Sequence, residues 1–200
     1  MEASTARRLD SEKARRIVAA MRASVGERGA AGATFDHVAQ KAGVSRGLLH
    51  YYFGSKERLL VEGVRHDIDL RLRSLEEGLA GADSVDAIIE VLVSHLQDFI
   101  DRDPASSALV YELFTASRRN EELRTALAEL FRSCRTHVAT VLEEKERAGI
   151  VHLRGDAESV AAVLFALADG LTLQSLADPD WDRSPVFAAG IRTAKFLLGD

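Results

Sequence analysis

A chain of 200 residues with 46% hydrophobic content can bury a substantial core, in one domain or two small ones. Its single cysteine, Cys134, allows no internal disulfide, and the N-terminal MEASTARRLDSEKARR has charge but no apolar stretch behind it, so neither a disulfide scaffold nor a secretory leader is expected. The net charge of −5 taken alone argues against a nucleic-acid binder, and no run of about 18 apolar residues appears, so no membrane span is expected.

That charge is unevenly spread. Residues 1–60 hold 11 Lys and Arg against 6 Asp and Glu, whereas the remainder holds 15 against 25. A basic segment ahead of an acidic bulk is the distribution expected of a small DNA-reading head on a body with another task.

Helical periodicity runs through the chain. Residues 11–28 place Ile17, Val18, Met21 and Val25 on one face, and Gly29 and Gly32 end that helix. Thr34 is suited to cap a short helix over 35–42, because its hydroxyl can accept from a first-turn N–H. Ala39 leaves room for a crossing helix, and Gly43 supplies a turn residue that tolerates positive φ. Ser45 caps a second short helix over 46–53, whose apolar side is Leu49 and Phe53, with Val44 just before it and Val38 facing them. Arg46, Gly47, His50 and Tyr51 are left pointing outward. A glycine inside a short helix costs about 1 kcal/mol relative to alanine, so Gly47 is better explained by close approach of a partner than by packing. Together these residues read as a DNA-binding helix-turn-helix.

Ser55 caps a longer helix reaching about residue 80, with Leu59, Leu60, Val64, Ile68, Leu72, Leu75 and Leu79 as its stripe. Further helices fit 84–102, 104–118, 120–148, 156–177 and 185–198, punctuated by Pro104, Gly149 and Asp178-Pro179. Ile150 to Leu153 is too short for a convincing strand. The expectation is an all-α fold of about nine helices. Its head is a helix-turn-helix DNA-binding domain over 1–54, and its body, 55–200, serves ligand binding and dimerisation.

The stretch 34–58 resembles the DNA-binding domain of the TetR family of bacterial transcriptional regulators. The residues that carry the likeness are Thr34, Ala39, Gly43-Val44-Ser45, Gly47, Tyr51-Tyr52-Phe53 and Ser55-Lys56-Glu57. His50 departs from it, where the family more often has Tyr, as does Gly54, often Lys. Residues 166–179, ALADGLTLQSLADP, are similar to the family's dimer-forming helix, especially in the branch with a choline-regulator-like C-terminal domain. The resemblance implies a cytoplasmic, homodimeric regulator, most often a repressor released from operator DNA by a small molecule. An activator and a ligand-independent architectural protein remain alternatives.

The head's chemistry follows residue by residue. Arg46, at the start of the second helix, can reach guanine O6 and N7 in a major groove. His50 and Tyr51 lie one turn on, and Tyr52 offers a phenol to a phosphate. Thr34, Ser45 and Lys56 sit at helix N-termini, where unpaired N–H groups favour an anion. Gly47 completes this DNA-binding set, and Arg7 and Arg8 form a basic arm for the adjacent minor groove.

In the body, the 157–176 helix is apolar nearly all round and needs cover on more than one side. Val160, Leu164, Leu167 and Leu171, with Phe187, Ile191, Ala194 and Leu198 of the last helix, are the expected homodimer interface. A twofold interface there would set two recognition helices about one DNA turn apart. A ligand cavity is expected among the helices at 84–102, 104–118 and 120–148, with His95, Phe99, Tyr111, Phe114, His137 and Phe165 as candidate contacts. Pockets of that kind are mostly apolar with a few orienting polar groups. No phosphate loop, HExxH or nucleophile turn is present, and Cys134 with His137 lacks an orienting acid. Neither an enzyme, a cofactor nor a metal site is expected.

Overall fold

The computed structural model describes residues 12–101 and 104–199. Its helices are α1 (Glu12–Gly32), α2 (Phe35–Ala42), α3 (Arg46–Phe53), α4 (Lys56–Ala80) and α5 (Val85–Asp101), followed by α6 (Pro104–Ser117), α7 (Glu121–Arg147), α8 (Ala157–Ala177) and α9 (Ser184–Leu198). Among the described residues there is no strand, so the fold is all-α as the periodicity indicates. The boundaries lie within a residue or two of the sequence reading, save that α1 runs to Gly32 across a break at Gly29, where φ is 67°.

Local chemistry explains these ends. Thr34 Oγ1 accepts from His37 N at 3.2 Å, Ser45 Oγ accepts from Leu48 N at 3.3 Å, and Ser55 Oγ accepts from Arg58 N at 3.2 Å. Asp156 caps α8 in the same way, and its hydrogen bonds from Ser159 hold the carboxyl below its ordinary value. Gly43 ends α2 with φ 64° and ψ 40°, the left-handed conformation a side chain would strain.

The chain forms two compact units. The first comprises residues up to Asp69 together with Pro104–Leu130; the second comprises Leu70–Asp103 and Phe131–Asp200. Helices α4 and α7 therefore each contribute to both. In the first unit, α1 packs on α2 and α6, and α2 on α3. Ile17, Met21, Val25, Val38, Leu49, Leu59, Leu109 and Leu113 are fully buried there.

In the second unit α5, α8 and α9 pack mutually around Ile88, Ile89, Val138, Leu142, Val151, Val160, Ala161 and Leu198. Residues 150–154 form no strand, but His152 N donates to Leu198 O and Arg154 N to Leu197 O, both at 2.9 Å, which ties this segment to the end of α9.

Helix α8 is long and apolar enough on average to satisfy the length and composition of a membrane span. A core helix with one side buried passes the same test. One side of α8 is taken up by packing on α5 and α9.

Candidate nucleic-acid interface

Two short helices, α2 and α3, carry most of the residues expected to face DNA, and their sequences fix how each is presented. Val38 and Ala39 of α2 and Leu49 and Phe53 of α3 are buried, which commits one side of each helix to the core. With eight residues in α3, the opposite side falls to Arg46, Gly47, His50 and Tyr51, and all four are exposed.

Gly47 has open space around it. A Cβ built there meets only Ser45 Oγ, at 3.9 Å. The protein itself therefore gives no steric reason for a glycine, and its cost in helix propensity stands uncompensated within the chain.

The two polar readers of α3 are both held from α2. Arg46 Nη1 lies 3.2 Å from Asp36 Oδ1 and 3.1 Å from Oδ2. The His50 ring meets the edge of Phe35, centroids 4.8 Å apart at 70°. His50 Nδ1 is 3.0 Å from the Gly54 carbonyl. A carbonyl only accepts, so Nδ1 carries the proton, and a neutral ring presents its Nε2 lone pair outward as an acceptor. Base amino groups, cytosine N4 or adenine N6, are the major-groove donors that match it.

Tyr51 is 60% exposed and stands edge-on to Tyr52, with ring centroids 5.4 Å apart. Tyr52 and Lys56 are half-buried, whereas Thr34 and Ser45 are exposed with their hydroxyls engaged as caps. Arg7 and Arg8 lie outside the described residues. Between α1 and α2 runs an open groove of about 420 Å³, lined by Ala19, Ala20, Ala23, Arg16, Gln40 and Lys41 among others. Arg16 closes one end by donating to Ala42 O at 2.7 Å.

Sequence reasoning did not find Asp36 or Phe35. Nothing in spacing alone pairs residues 36 and 46, because the contact depends on how the two helices cross.

The candidate ligand residues fall in both units. In the second, His95 Nδ1 donates to Val91 O at 2.9 Å, which leaves Nε2 to accept from Ser74 Oγ at 3.2 Å. His137 Nε2 sits 3.7 Å from Glu76 Oε2. Both histidines thus face polar groups of α4. Phe99 lies under the Arg71 guanidinium, 4.2 Å from ring centroid to charge, and Phe165 packs half-buried against the second unit's core. Tyr111 and Phe114 belong to the first unit, where Tyr111 is half-buried and Phe114 is 56% exposed. Among the described residues no group of three His, Cys, Asp or Glu is arranged to hold a metal ion.

The residues expected at a partner interface differ in how far the chain itself buries them. Val160, Leu171, Ala194 and Leu198 are buried within the chain's own second unit. Leu164 and Ile191 pack partly buried against the same core, and Leu167 and Phe187 are half-buried. The apolar side chains left exposed are Val163, Leu173 and Leu176 of α8 and Val186 and Phe196 of α9. A helix apolar nearly all round gives periodicity no phase, and the chain's own core takes up one of its sides.

Comparison with known proteins agrees with this architecture. The family described as bacterial regulatory proteins, tetR family, matches residues 17–62, and the tetracyclin repressor-like C-terminal domain matches residues 83–194. The HTH-type transcriptional regulator BetI of Agrobacterium fabrum is 30% identical over 162 residues, covering 79% of this chain and 73% of BetI. The fold is similar to that of FadR from Bacillus subtilis in complex with stearoyl-CoA, at TM-score 0.72 and 18% identity over 92% of this chain and 97% of FadR. It is similar also to a transcriptional regulator from Saccharomonospora viridis in complex with choline, at TM-score 0.72 and 21% identity over 90% and 93% of the two chains. With its helix-turn-helix head and its C-terminal helices both matched, the chain belongs to the TetR family of DNA-binding transcriptional regulators.

Proposed function

We propose that this regulator is a cytoplasmic homodimeric repressor that leaves its operator when a small molecule enters the body over residues 55–200. The observation that carries the DNA-reading part is the outward face of α3. Arg46, Gly47, His50 and Tyr51 share one exposed side, and Gly47 has no packing reason to lack a side chain. Phosphate contacts from Lys56, Tyr52 and the N-termini capped by Thr34 and Ser45 set the register, and Arg46 and His50 read base edges.

The exposed apolar side chains of α8 and α9 supply the reason for a second copy. Val163, Leu173, Leu176, Val186 and Phe196 lie on the two helices of one unit. Removing such side chains from water contributes about 25 cal/mol per Å² of apolar area.

Effector identity rests on the body's own side chains. The ligands named for FadR and for the Saccharomonospora viridis regulator, stearoyl-CoA and choline, differ greatly in size and charge, so the shared fold does not select one. His95, Phe99, His137 and Phe165, all of the second unit, are the contacts we assign to it. The effector must bind the DNA-incompetent state better than the competent one, and by linkage operator DNA then weakens effector binding by the same factor. Helices α4 and α7, which each contribute to both units, carry the signal.

A gel-shift against the chain's own upstream DNA tests this reading. A specific complex that dissolves on addition of an effector supports it. A specific complex indifferent to every compound that raises the melting temperature would leave an architectural DNA-binding protein instead.

A further inference from the structure

Asp36 puts a carboxylate on the surface that meets DNA. It stands in the first turn of α2, and both its oxygens lie within 3.2 Å of Nη1 of Arg46, the first residue of α3. The pair is open to water, with side chains 70% and 60% exposed. An exposed pair of this sort contributes only about 0–1 kcal/mol to folding. Facing phosphates, a carboxylate also opposes non-specific binding. A carboxylate in a helix's first turn is also favoured by the helix dipole, by about 0.3–1 kcal/mol, but general DNA affinity does not account for its facing Arg46.

What the pair does is tether the guanidinium at Nη1. A free arginine keeps much rotamer entropy and swings readily to the nearest phosphate. With Nη1 held by Asp36, the edge formed by Nε and Nη2 remains as two parallel donors. That edge matches the O6 and N7 acceptors of guanine. Phe35, the neighbouring residue, meanwhile steadies His50. Consecutive side chains of α2 therefore hold the two polar readers of α3.

The geometry points to Asp36 as a specificity-determining positioning residue, which holds Arg46 in the orientation that reads guanine and keeps it off the backbone. This inference rests on the base-reading role given to Arg46, and the test separates the two.

Duplexes are first selected from a randomised double-stranded library with the wild-type protein. Affinity is then measured by fluorescence anisotropy for the selected duplex, for versions with each guanine replaced in turn, and for unselected duplex. The proteins compared are wild type, Asp36→Asn, Asp36→Ala, Arg46→Ala and Arg46→Lys.

Arg46→Ala should lose about tenfold or more of the discrimination at one guanine. Both Asp36 variants should lose most of it at that same guanine, while their affinity for unselected duplex rises because a negative charge has gone. Arg46→Lys, which keeps the charge without the fork, should lose the discrimination too. If Arg46→Ala loses the preference and both Asp36 variants keep it, the positioning role is overturned while the reading of Arg46 stands. An Asp36 loss spread evenly over all positions, with weaker binding to unselected duplex, would mean a merely structural residue and also overturn it. If Arg46→Ala keeps every preference, the reading of Arg46 falls and the inference falls with it.

Discussion

Arg22 of α1 and Asp67 of α4 form a partly buried ion pair, Nε to Oδ2 at 3.2 Å, in which the carboxylate side chain is only 5% exposed. Ser106 of α6 donates to the same oxygen at 2.5 Å. One buried carboxylate thus joins the first helix of the head, the long helix that leaves it, and the helix that opens with Pro104. Helix packing alone would let these three slide. A charged acceptor with donors from two other helices fixes their register.

Loss of that junction should be costly. Ser106→Ala takes a donor from a buried carboxylate and should lower stability by about 1–3 kcal/mol. A double-mutant cycle of Arg22→Ala and Asp67→Ala should give a coupling of about 0.5–3 kcal/mol by urea unfolding. Additive effects would show that the pair is not energetically joined. Operator affinity should fall in the same variants, since the register of α1 and α4 presents the head.

Gly47→Ala should separate stability from function. Alanine gains about 1 kcal/mol of helix propensity at a position where its Cβ meets nothing closer than 3.9 Å. The melting temperature should rise while operator affinity falls. A variant that is more stable and binds DNA as well as wild type would show that no partner approaches the backbone there.

Lys56→Ala should weaken binding to all duplexes alike and lower the salt slope by about 1, because one phosphate contact is lost. An unchanged slope, measured between low and physiological salt, would move the phosphate contact elsewhere.

The partner face predicted from exposure differs from the one read from sequence, and substitutions distinguish them. Leu173→Asp changes a side chain 54% exposed in the single chain, so the chain itself should still fold. A carboxylate buried without a partner in an interface costs several kcal/mol. Sedimentation equilibrium should therefore show a folded monomer with weakened operator binding. A Leu173→Asp protein that remains dimeric would place the interface off this face.

Asp169 gives a pH dependence. Packing around it raises its carboxyl above the ordinary aspartate value, and because the residue is exposed the effect on stability is small. The folded protein therefore binds the proton more tightly than the unfolded chain does. The stability this contributes is fully present below the unfolded value of about 4 and is lost as pH rises through the raised folded value. Asp169→Asn should accordingly raise the melting temperature at neutral pH, with the gain shrinking as pH falls toward 4. An equal gain at both pH values would assign the effect to something other than the proton.

Much of this fold is legible in the sequence because its punctuation is local. Thr34, Ser45 and Ser55 cap with their own side chains, Gly43 turns because only the left-handed region closes that bend, and buried residues recur at helical spacing. The outward face of α3 follows once Leu49 and Phe53 are assigned inward. What is not legible depends on how helices cross. Asp36 meets Arg46 across ten residues, and Asp67 meets Arg22 across 45, with no periodic signal for either. The phase of α8 is not legible for a different reason: its apolar residues surround the axis, so spacing does not say which side faces the chain's own core.

The central claim is that α3 reads operator sequence from a dimer, and a competition titration at physiological salt tests it most directly. Wild-type protein is offered the duplex it selects from a randomised library and a scrambled duplex of the same composition. The account predicts two chains per selected duplex and a preference of about 10³-fold or more over the scrambled one, lost when Arg46 is replaced by Ala. Equal affinity for both duplexes, or a preference that Arg46→Ala leaves intact, would contradict it.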